Sequence, residues 1–492
     1  MLSPPALLRL IVRSQTRHVS HYSAVSQSGR VAERNVIDEL ESRGYVSALT
    51  NPGLRQHVAS PSCLYAGVDP SASSLHVGNL LPLMGLLHFK MAGHKAIAII
   101  GGATGSIGDP SGRSTERNAL ASDELDRNVR GITDQVERFF QLGSEYAGRR
   151  GGYERAVDED AIRGELEVLN NLEWTQGVGL LDFLRTVGKM ARVNVMLARD
   201  SVKNRLSSDS GISYTEFTYQ LLQASDFLHL YRTRNCTIQL GGSDQWGNIV
   251  AGIDLIKRMA ADEARQDVQD GSGLEEGKGR EPAYGLTIPL LTTSSGEKFG
   301  KSAGNAVWLD QQRTSVSDFY QFFLRSTDED VERYLRIFSW LKVDEIDELM
   351  TQHFVNKKAR TAQKTLADEV TELVHGEQAV KKAQTAAVVL YQTNPRLLKA
   401  DDIISAFEGD PRFHRVTWSD IKGLPVTKLA VQYGLCKARG ETVFSVQAGG
   451  LFVNDRKVND PRYLIVRQEM VQHRIAIVRL GSKNHMILCV ED

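Results

Sequence analysis

The sequence predicts an α/β protein: a parallel-sheet domain first, then an α-helical region and a small α+β module. Three observations predict it. A strand–helix–strand pattern runs from Leu64 to Ile100. A second, glycine-terminated strand and helix follow near residues 237–259. After residue 319 a long helical stretch gives way, from about Trp418, to short apolar segments. At 492 residues the chain is too long for one core, so several domains are expected.

The elements follow in order. Leu64–Val68 is a continuous apolar run, ended by Asp69-Pro70. Leu80–Ala92 is apolar enough for a helix packed on a sheet, with Pro82 in its first turn, where proline is tolerated. Ala96–Ile100 reads as an interior parallel strand. These make a βαβ unit, for which a right-handed crossover is favoured. Ligands of open α/β sheets bind beyond the carboxyl ends of the strands. Asp69-Pro70-Ser71 and the glycine-rich loop Gly101–Gly112 both fall there. That loop is neither a Walker loop nor a dinucleotide fingerprint in its usual place. His76 and Gly78 open the following helix, whose free N–H groups suit phosphate. Gly78 lacks a Cβ, so a base or ribose could approach the backbone closely.

Asp123–Phe140 reads as a helix, and 143–164, polar and glycine-rich, as a surface insertion. Leu180–Leu197 is apolar at helical spacing and by itself reads as a core helix. Ser213–Leu230 is a helix on which Tyr219, Gln223 and Asp226 share one face. A phenol, an amide and a carboxylate together are odd as core filling and suit the wall of a polar pocket. The strand Thr237–Leu240 ends in Gly241-Gly242-Ser243-Asp244-Gln245. Asp244 has two readings, a ribose ligand or the N-cap of the helix that follows. A second insertion is expected at 261–282, then a strand over Leu286–Leu291 and a loop holding Lys298 and Lys301. Phe319–Tyr391 is helical throughout, with a stripe of Ala362, Leu366, Val370, Leu373 and Val374. Asn394–Asp410 reads as a linker.

Composition is ordinary for a globular protein, and a formal charge of −1 gives no whole-chain sign of nucleic-acid binding. The basic surface is local: residues 421–492 hold eleven Lys or Arg against six Asp or Glu, net +5, which suits RNA phosphates. Cys63, Cys236, Cys436 and Cys489 show neither zinc spacing nor a disulfide framework, as in a reducing compartment. No apolar run is long enough to span a membrane. Residues 1–30 carry Arg9, Arg13, Arg17 and Arg30, six serines and no acid. That matches a mitochondrial targeting segment; a basic, disordered N-terminus is the other reading.

Four stretches carry a resemblance. His76-Val77-Gly78-Asn79 resembles the HIGH motif of class I aminoacyl-tRNA synthetases, and Lys298-Phe299-Gly300-Lys301-Ser302, about 220 residues later, their KMSKS motif. Thr215–Asp226 and Gly241–Asn248 are similar to the tyrosyl-tRNA synthetases specifically. One departure is Asn79 where the motif has His; Asn still donates a hydrogen bond. Tryptophanyl-tRNA synthetases share the fold, but Tyr65 with Asp226 and the Gly-Gly-Ser-Asp-Gln-Trp run argue against them.

The resemblance implies a Rossmann-like catalytic domain over 31–325, an α-helical anticodon-side domain with linker over 326–410, and an S4-like RNA-binding domain over 411–492. It implies a mitochondrial matrix enzyme that joins tyrosine to tRNA(Tyr) through tyrosyl-adenylate. Its partners would be tyrosine, ATP, tRNA and a second copy of the chain, with no membrane. Mg²⁺ would arrive with ATP, and no metal would be held by the protein. In catalysis it implies His76, Asn79, Ser71, Lys298 and Lys301. For ATP it implies Asp69, Gly78, Gly242 and Asp244, with both lysines. For tyrosine it implies Tyr65, Gly67, Asp109, Tyr219, Gln223, Asp226 and Gln245, with Asn171 and Trp174 as pocket support. Arg113 and Arg117 would contact pyrophosphate or the tRNA end, and 180–197 would form a dimer interface. No nucleophile–base pair stands out, which fits a reaction needing only positioning and charge stabilisation. A different class of function is an RNA-binding cofactor for folding or splicing structured RNA such as group I introns, as in some fungal mitochondrial relatives.

Overall fold

The computed structural model describes residues 35–109, 121–151, 164–207, 211–269, 281–296, 299–302, 305–391, 397–481 and 484–491. The central sheet has six strands: β1 (Ala48–Leu49), β2 (Cys63–Val68), β3 (Lys95–Ile100), β4 (Leu166–Asn170), β5 (Cys236–Gly242) and β6 (Tyr284–Ile288). Their spatial order is β1-β6-β5-β2-β3-β4. All neighbours are parallel except β1, which pairs antiparallel with β6 at the edge. From β2 the chain winds outward through β3 to β4, then returns to β5 on the other side. The β2/β5 boundary is therefore the topological switch point, where a crevice opens beyond the strand ends.

Alternate residues of β2 feed two apolar layers. Leu64, Ala66 and Val68 pack with helix Leu80–Met91 in one cluster. Cys63 and Tyr65 pack with Phe227, Ile249 and Ile253 of helices Tyr214–Arg234 and Trp246–Gln269 in the other. The period-2 alternation of strand side chains puts helices on both faces of the sheet.

Helix Ser122–Arg149 runs past the expected end at Phe140. Its last turns, expected as the start of a surface insertion at 143, bury one face through Gly143, Ser144, Tyr146 and Ala147. A Cβ on Gly143 would stand 3.0 Å from Leu87 Cδ2. The Tyr146 hydroxyl donates to Glu369 Oε2 at 2.5 Å and accepts from the Trp340 N–H at 3.0 Å. Glycine content misled the reading there: this glycine allows close helix approach. Helix Trp246–Gln269 likewise runs into the stretch expected as an insertion from 261. The middle parts of both stretches lie outside the described residues.

The stretch expected as one core helix, Leu180–Leu197, is broken. It forms helix Leu180–Phe183, a π-helical turn Leu184–Gly188 and helix Val193–Leu197. Val187 and Met196 are buried, whereas Leu180, Leu181, Leu184 and Val193 are exposed. Among the described residues, most of this apolar face has no core to enter.

Helices Val316–Leu324, Val331–Phe338 and Thr361–His375 share one apolar cluster with the sheet, with Phe319, Phe323, Leu366 and Leu373 beside Leu80 and Ala98. The expected linker 394–410 contains a helix instead, Ala400–Phe407, buried along one face. Its Ile403 and Phe407 pack on Val389 and Leu390 of helix Glu377–Tyr391 and on Ile475, Ile477 and Ile487. Its hydrophobic stripe is too short to stand out in the sequence. After a short hairpin, β7 (Lys301–Ser302) and β8 (Asn305–Ala306), five strands form a second sheet. They are β9 (Phe413–Val416), β10 (Leu451–Val453), β11 (Arg456–Lys457), β12 (Ile475–Leu480) and β13 (Asn484–Val490), in the order β11-β10-β12-β13-β9. Val443–Val446, one of the short apolar segments, lies in helix Arg439–Gln447. Among the described residues, no helix is long and apolar enough to cross a membrane.

Candidate active site

A cavity of about 230 Å³ opens at the switch point, between the carboxyl ends of β2 and β5 and helix Tyr214–Arg234. That helix is started by Ser213, whose side chain caps the Glu216 N–H while Glu216 reaches back to the Ser213 N–H, a reciprocal capping box. Glu216 also forms a buried ion pair with Arg205 at 2.9 Å. The helix is thus fixed in register one turn before Tyr219, and its polar face meets the cavity.

The deep end is built round Asp226. Asn171 Nδ2 donates to one carboxylate oxygen at 3.0 Å, and Trp174 Nε1 to the other at 2.8 Å. Asn171 is itself held by the Ala103 N–H at 2.7 Å and by Thr104 Oγ1 at 2.9 Å. The indole of Trp174 stacks on His229, with ring centroids 4.5 Å apart and planes 9° apart. Two neutral donors oppose burial only in part, so burial pushes the Asp226 carboxyl up to about 7. The Tyr65 hydroxyl is buried here and has no hydrogen-bond partner. Burial first, then the charge of Asp226, hold its pKa well above the usual phenol range. An unpartnered buried hydroxyl beside a neutral-donor-bound carboxylate is a receptor for a hydroxyl from outside.

The outer end is acidic. Tyr219 is held well above the ordinary phenol range by burial and by Asp109, Asp69 and Asp226. Gln245 Nε2 donates to Asp109 Oδ2 at 2.7 Å, and Gln223 Nε2 donates to Gln245 Oε1 at 3.3 Å. The Gln245 amide is thus engaged with Asp109. Gly67 lies between the two ends, with open space where a Cβ would stand. The cavity therefore offers carboxylates at one end, a small flat floor, and a hydroxyl receptor at the other.

The turn Val77–Asn79 sits beside the cavity. The Gly78 N–H donates to His76 Nδ1 at 3.0 Å, which leaves the ring proton on Nε2 as a donor. Asn79 Oδ1 accepts from the His76 N–H at 3.0 Å, and its side chain lines the cavity with its N–H₂ donors available. A Cβ on Gly78 would fall 2.7 Å from His76 Cε1, so glycine is what lets the imidazole fold back. The Phe299–Ser302 segment is tied to this turn. Phe299 is buried against Phe338 and Tyr334. Gly300, at φ +90°, lies where a Cβ would be 2.8 Å from Val77 Cγ2. The Val77 N–H donates to Val307 O at 2.9 Å, and the Val307 N–H to Gly300 O at 3.0 Å.

Of the expected residues, Tyr65, Gly67, Asp69, Asn79, Asp109 and Asn171 line the cavity. So do Tyr219, Gln223, Asp226, Gly242 and Gln245. Trp174 acts from behind through Asp226. Ser71, His76, Gly78 and Asp244 stand on adjoining turns outside the lining; Ser71 is exposed, and the N-cap of helix Trp246–Gln269 expected of Asp244 is instead a 3-10 turn, Ser243–Gln245. Lys298, Arg113 and Arg117 lie outside the described residues, and of Lys301 only the backbone, in β7, is described. Among the other lining residues, two carry polar side chains. Gln239, buried in β5 with an unpartnered Oε1, was signalled by an amide in an apolar strand. Thr104 had no signal beyond its glycine-rich loop. Among the described residues, no group of three or more His, Cys, Asp or Glu side chains is placed to hold a metal.

The model of the tRNA synthetases class I (W and Y) matches residues 58–392. A tyrosine–tRNA ligase 2 of Bacillus cereus is 39% identical over 456 residues, covering 92% of this chain and 99% of the relative. The mitochondrial tyrosine–tRNA ligase of Saccharomyces cerevisiae is 45% identical over 369 residues, covering 74% and 71%. Among solved structures, the C-terminally truncated mitochondrial tyrosyl-tRNA synthetase of Coccidioides posadasii is 36% identical, with TM-score 0.63 over 72% of this chain and 92% of that one. That of Aspergillus nidulans is 34% identical, with TM-score 0.64 over 73% and 94%. Such identity across nearly the whole chain, on a sheet whose switch point carries this cavity, means that the chain belongs to the tyrosyl-tRNA synthetases of class I.

Proposed function

We propose that this chain is a mitochondrial tyrosine–tRNA ligase. It activates tyrosine with ATP to tyrosyl-adenylate, releasing pyrophosphate, and then transfers the tyrosyl group to the 3′ end of tRNA(Tyr). The observation that carries this reading is the pairing of the unpartnered Tyr65 hydroxyl with Asp226 at the deep end of the cavity. A substrate phenol hydroxyl can donate to the Asp226 carboxylate and accept from Tyr65. Asp109, Tyr219 and Gln223 receive the α-ammonium at the other end, with Gln245 holding Asp109 and Asn171 and Trp174 holding Asp226. Gly67 leaves room for the ring between them.

The tyrosine carboxylate then attacks the ATP α-phosphate, and pyrophosphate leaves. No protein nucleophile is required, because positioning and charge stabilisation supply the rate. His76 Nε2–H, Asn79, Ser71, Lys298 and Lys301 are the donors assigned to the transferring phosphates, with Arg113 and Arg117 at pyrophosphate or the tRNA end. Gly78, Asp69, Gly242 and Asp244 bind the nucleoside part. Mg²⁺ comes as part of the nucleotide substrate. The exposed apolar face over 180–197 supports a homodimer, since among the described residues it has no core to enter. The enzyme acts in the mitochondrial matrix, with residues 1–30 as its targeting segment. No feature of the described residues favours the alternative RNA-folding role.

The test is charging of tRNA(Tyr) transcript with labelled tyrosine, phenylalanine or tryptophan. Charging with tyrosine alone is expected. Equal charging with tryptophan would overturn the substrate assignment.

A further inference from the structure

Cys63 and Cys236 are the first residues of β2 and β5, the two strands that flank the crevice. They are register partners across this parallel pair, and both side chains enter the same apolar cluster, with Tyr65 and Phe227. Neighbouring strands lie about 4.8 Å apart, and disulfides form between Cα atoms roughly 4.4–6.8 Å apart. Among the described residues this is the cysteine pair that shares a strand register; Cys436 and Cys489 are placed elsewhere, in separate clusters.

We propose that Cys63 and Cys236 form a peroxide-sensitive modification site that closes to an intrachain disulfide. Cys63 is the attacking sulfur. It is at the rim of the sheet, under the partly exposed ion pairs of Lys95 and Arg234 with Glu167, while Cys236 is fully buried. The neighbouring Cys236 thiol, and then Lys95 and Arg234, draw the Cys63 thiol below its ordinary value against its own burial, whereas burial holds Cys236 well above. A low-pKa thiol next to a resolving thiol is the arrangement that oxidises reversibly, and Cys63, though buried, is the less enclosed of the two. The Cys63 thiolate attacks a hydroperoxide oxygen, the O–O bond breaks, and a proton from solvent completes the leaving water or alcohol. This gives Cys63 sulfenic acid. Cys236 then attacks that sulfur, the S–O bond breaks, and the sulfenic oxygen leaves as water with the Cys236 proton. Two thiols are oxidised by two electrons and one peroxide is reduced. The bond lies at the amino ends of the strands, about 7 Å along β2 from Tyr65 at the deep end of the cavity and about 17 Å from the strands' carboxyl ends.

The full chain is treated with hydrogen peroxide, the remaining thiols are alkylated, and peptides are mapped without reduction. The expected result is one cross-linked pair, Cys63 with Cys236, lighter by two hydrogens and released by dithiothreitol. Cys63→Ala abolishes the pair, and Cys236→Ala leaves Cys63 sulfenic acid that dimedone traps. Recovery of both residues as alkylated thiols while Cys436 or Cys489 is oxidised would overturn the proposal. So would accumulation of Cys63 sulfinic acid in the wild-type chain without the cross-link.

Discussion

Replacing Tyr65 by Phe removes one oxygen and nothing else, and its two effects should have opposite signs. In the empty site the hydroxyl is buried without a partner. A buried, unsatisfied hydroxyl costs about 1–3 kcal/mol, but a cavity of about 230 Å³ has room for water that recovers most of that. Tyr65→Phe is therefore expected to leave the unliganded protein as stable as before, or more stable by up to about 1 kcal/mol. With tyrosine bound, the same change removes one hydrogen bond to the substrate phenol. A neutral bond is worth about 0.5–1.5 kcal/mol, so kcat/KM for tyrosine should fall roughly 2- to 13-fold. Phenylalanine, which never made the bond, should show no such fall. Urea unfolding of the unliganded protein and ATP–pyrophosphate exchange at subsaturating amino acid measure the two effects. A destabilised protein with unchanged kcat/KM would make the hydroxyl structural and refute the reasoning.

Asp226 gives a pH dependence. Its folded-state pKa is raised to about 7 from an ordinary 3.8, chiefly by burial. Its contribution to stability is thus full below about pH 4 and is lost as pH rises through 7, by up to about 4 kcal/mol. Binding runs the other way, because the ionised form accepts the substrate hydroxyl: kcat/KM for tyrosine should rise through pH 7, and Asp226→Asn should flatten that profile. Gly300→Ala forces a side chain into φ +90° and against Val77; a cost of about 1–2 kcal/mol is expected, read as lower kcat with little change in the KM for tyrosine. Leu181→Asp, on the exposed apolar face, should shift the chain from dimer to monomer in sedimentation velocity at micromolar concentration. Arg205→Ala leaves Glu216 buried without its ion pair and should cost about 3–5 kcal/mol of stability, seen as a lowered urea midpoint.

The parts of the fold that were legible in the sequence are those where one physical signal dominates. β2 and β3 read as strands because both faces are covered and the apolar run is unbroken. The face Tyr219, Gln223 and Asp226 read as a pocket wall because polar groups at helical spacing need partners. Elsewhere the deciding contacts are distant in sequence. Gly143 and Tyr146 are buried by residues near 340 and 370, so a local reading of that stretch as polar surface failed. Ile403 and Phe407 find their cover on β12 and β13, about 70 or more residues away, and so a helix was read as a linker. Leu180–Leu197 has the apolar content of a core helix, but composition cannot say whether its cover is inside or outside the chain. Within the site, Thr104 was unreadable because its role depends on Asn171, 67 residues later.

The central claim is that the deep end of the cavity reads a phenol hydroxyl through Asp226. Its most direct measurement is ATP–pyrophosphate exchange by the protein lacking residues 1–30, with tyrosine, phenylalanine and tryptophan, in wild type and Asp226→Ala. The predicted result is exchange with tyrosine alone in wild type. In the variant, kcat/KM for tyrosine should fall roughly 10- to 150-fold, the loss of a hydrogen bond to a charged group, so that selectivity over phenylalanine collapses. Exchange with tryptophan in wild type, or full selectivity for tyrosine in Asp226→Ala, would contradict it.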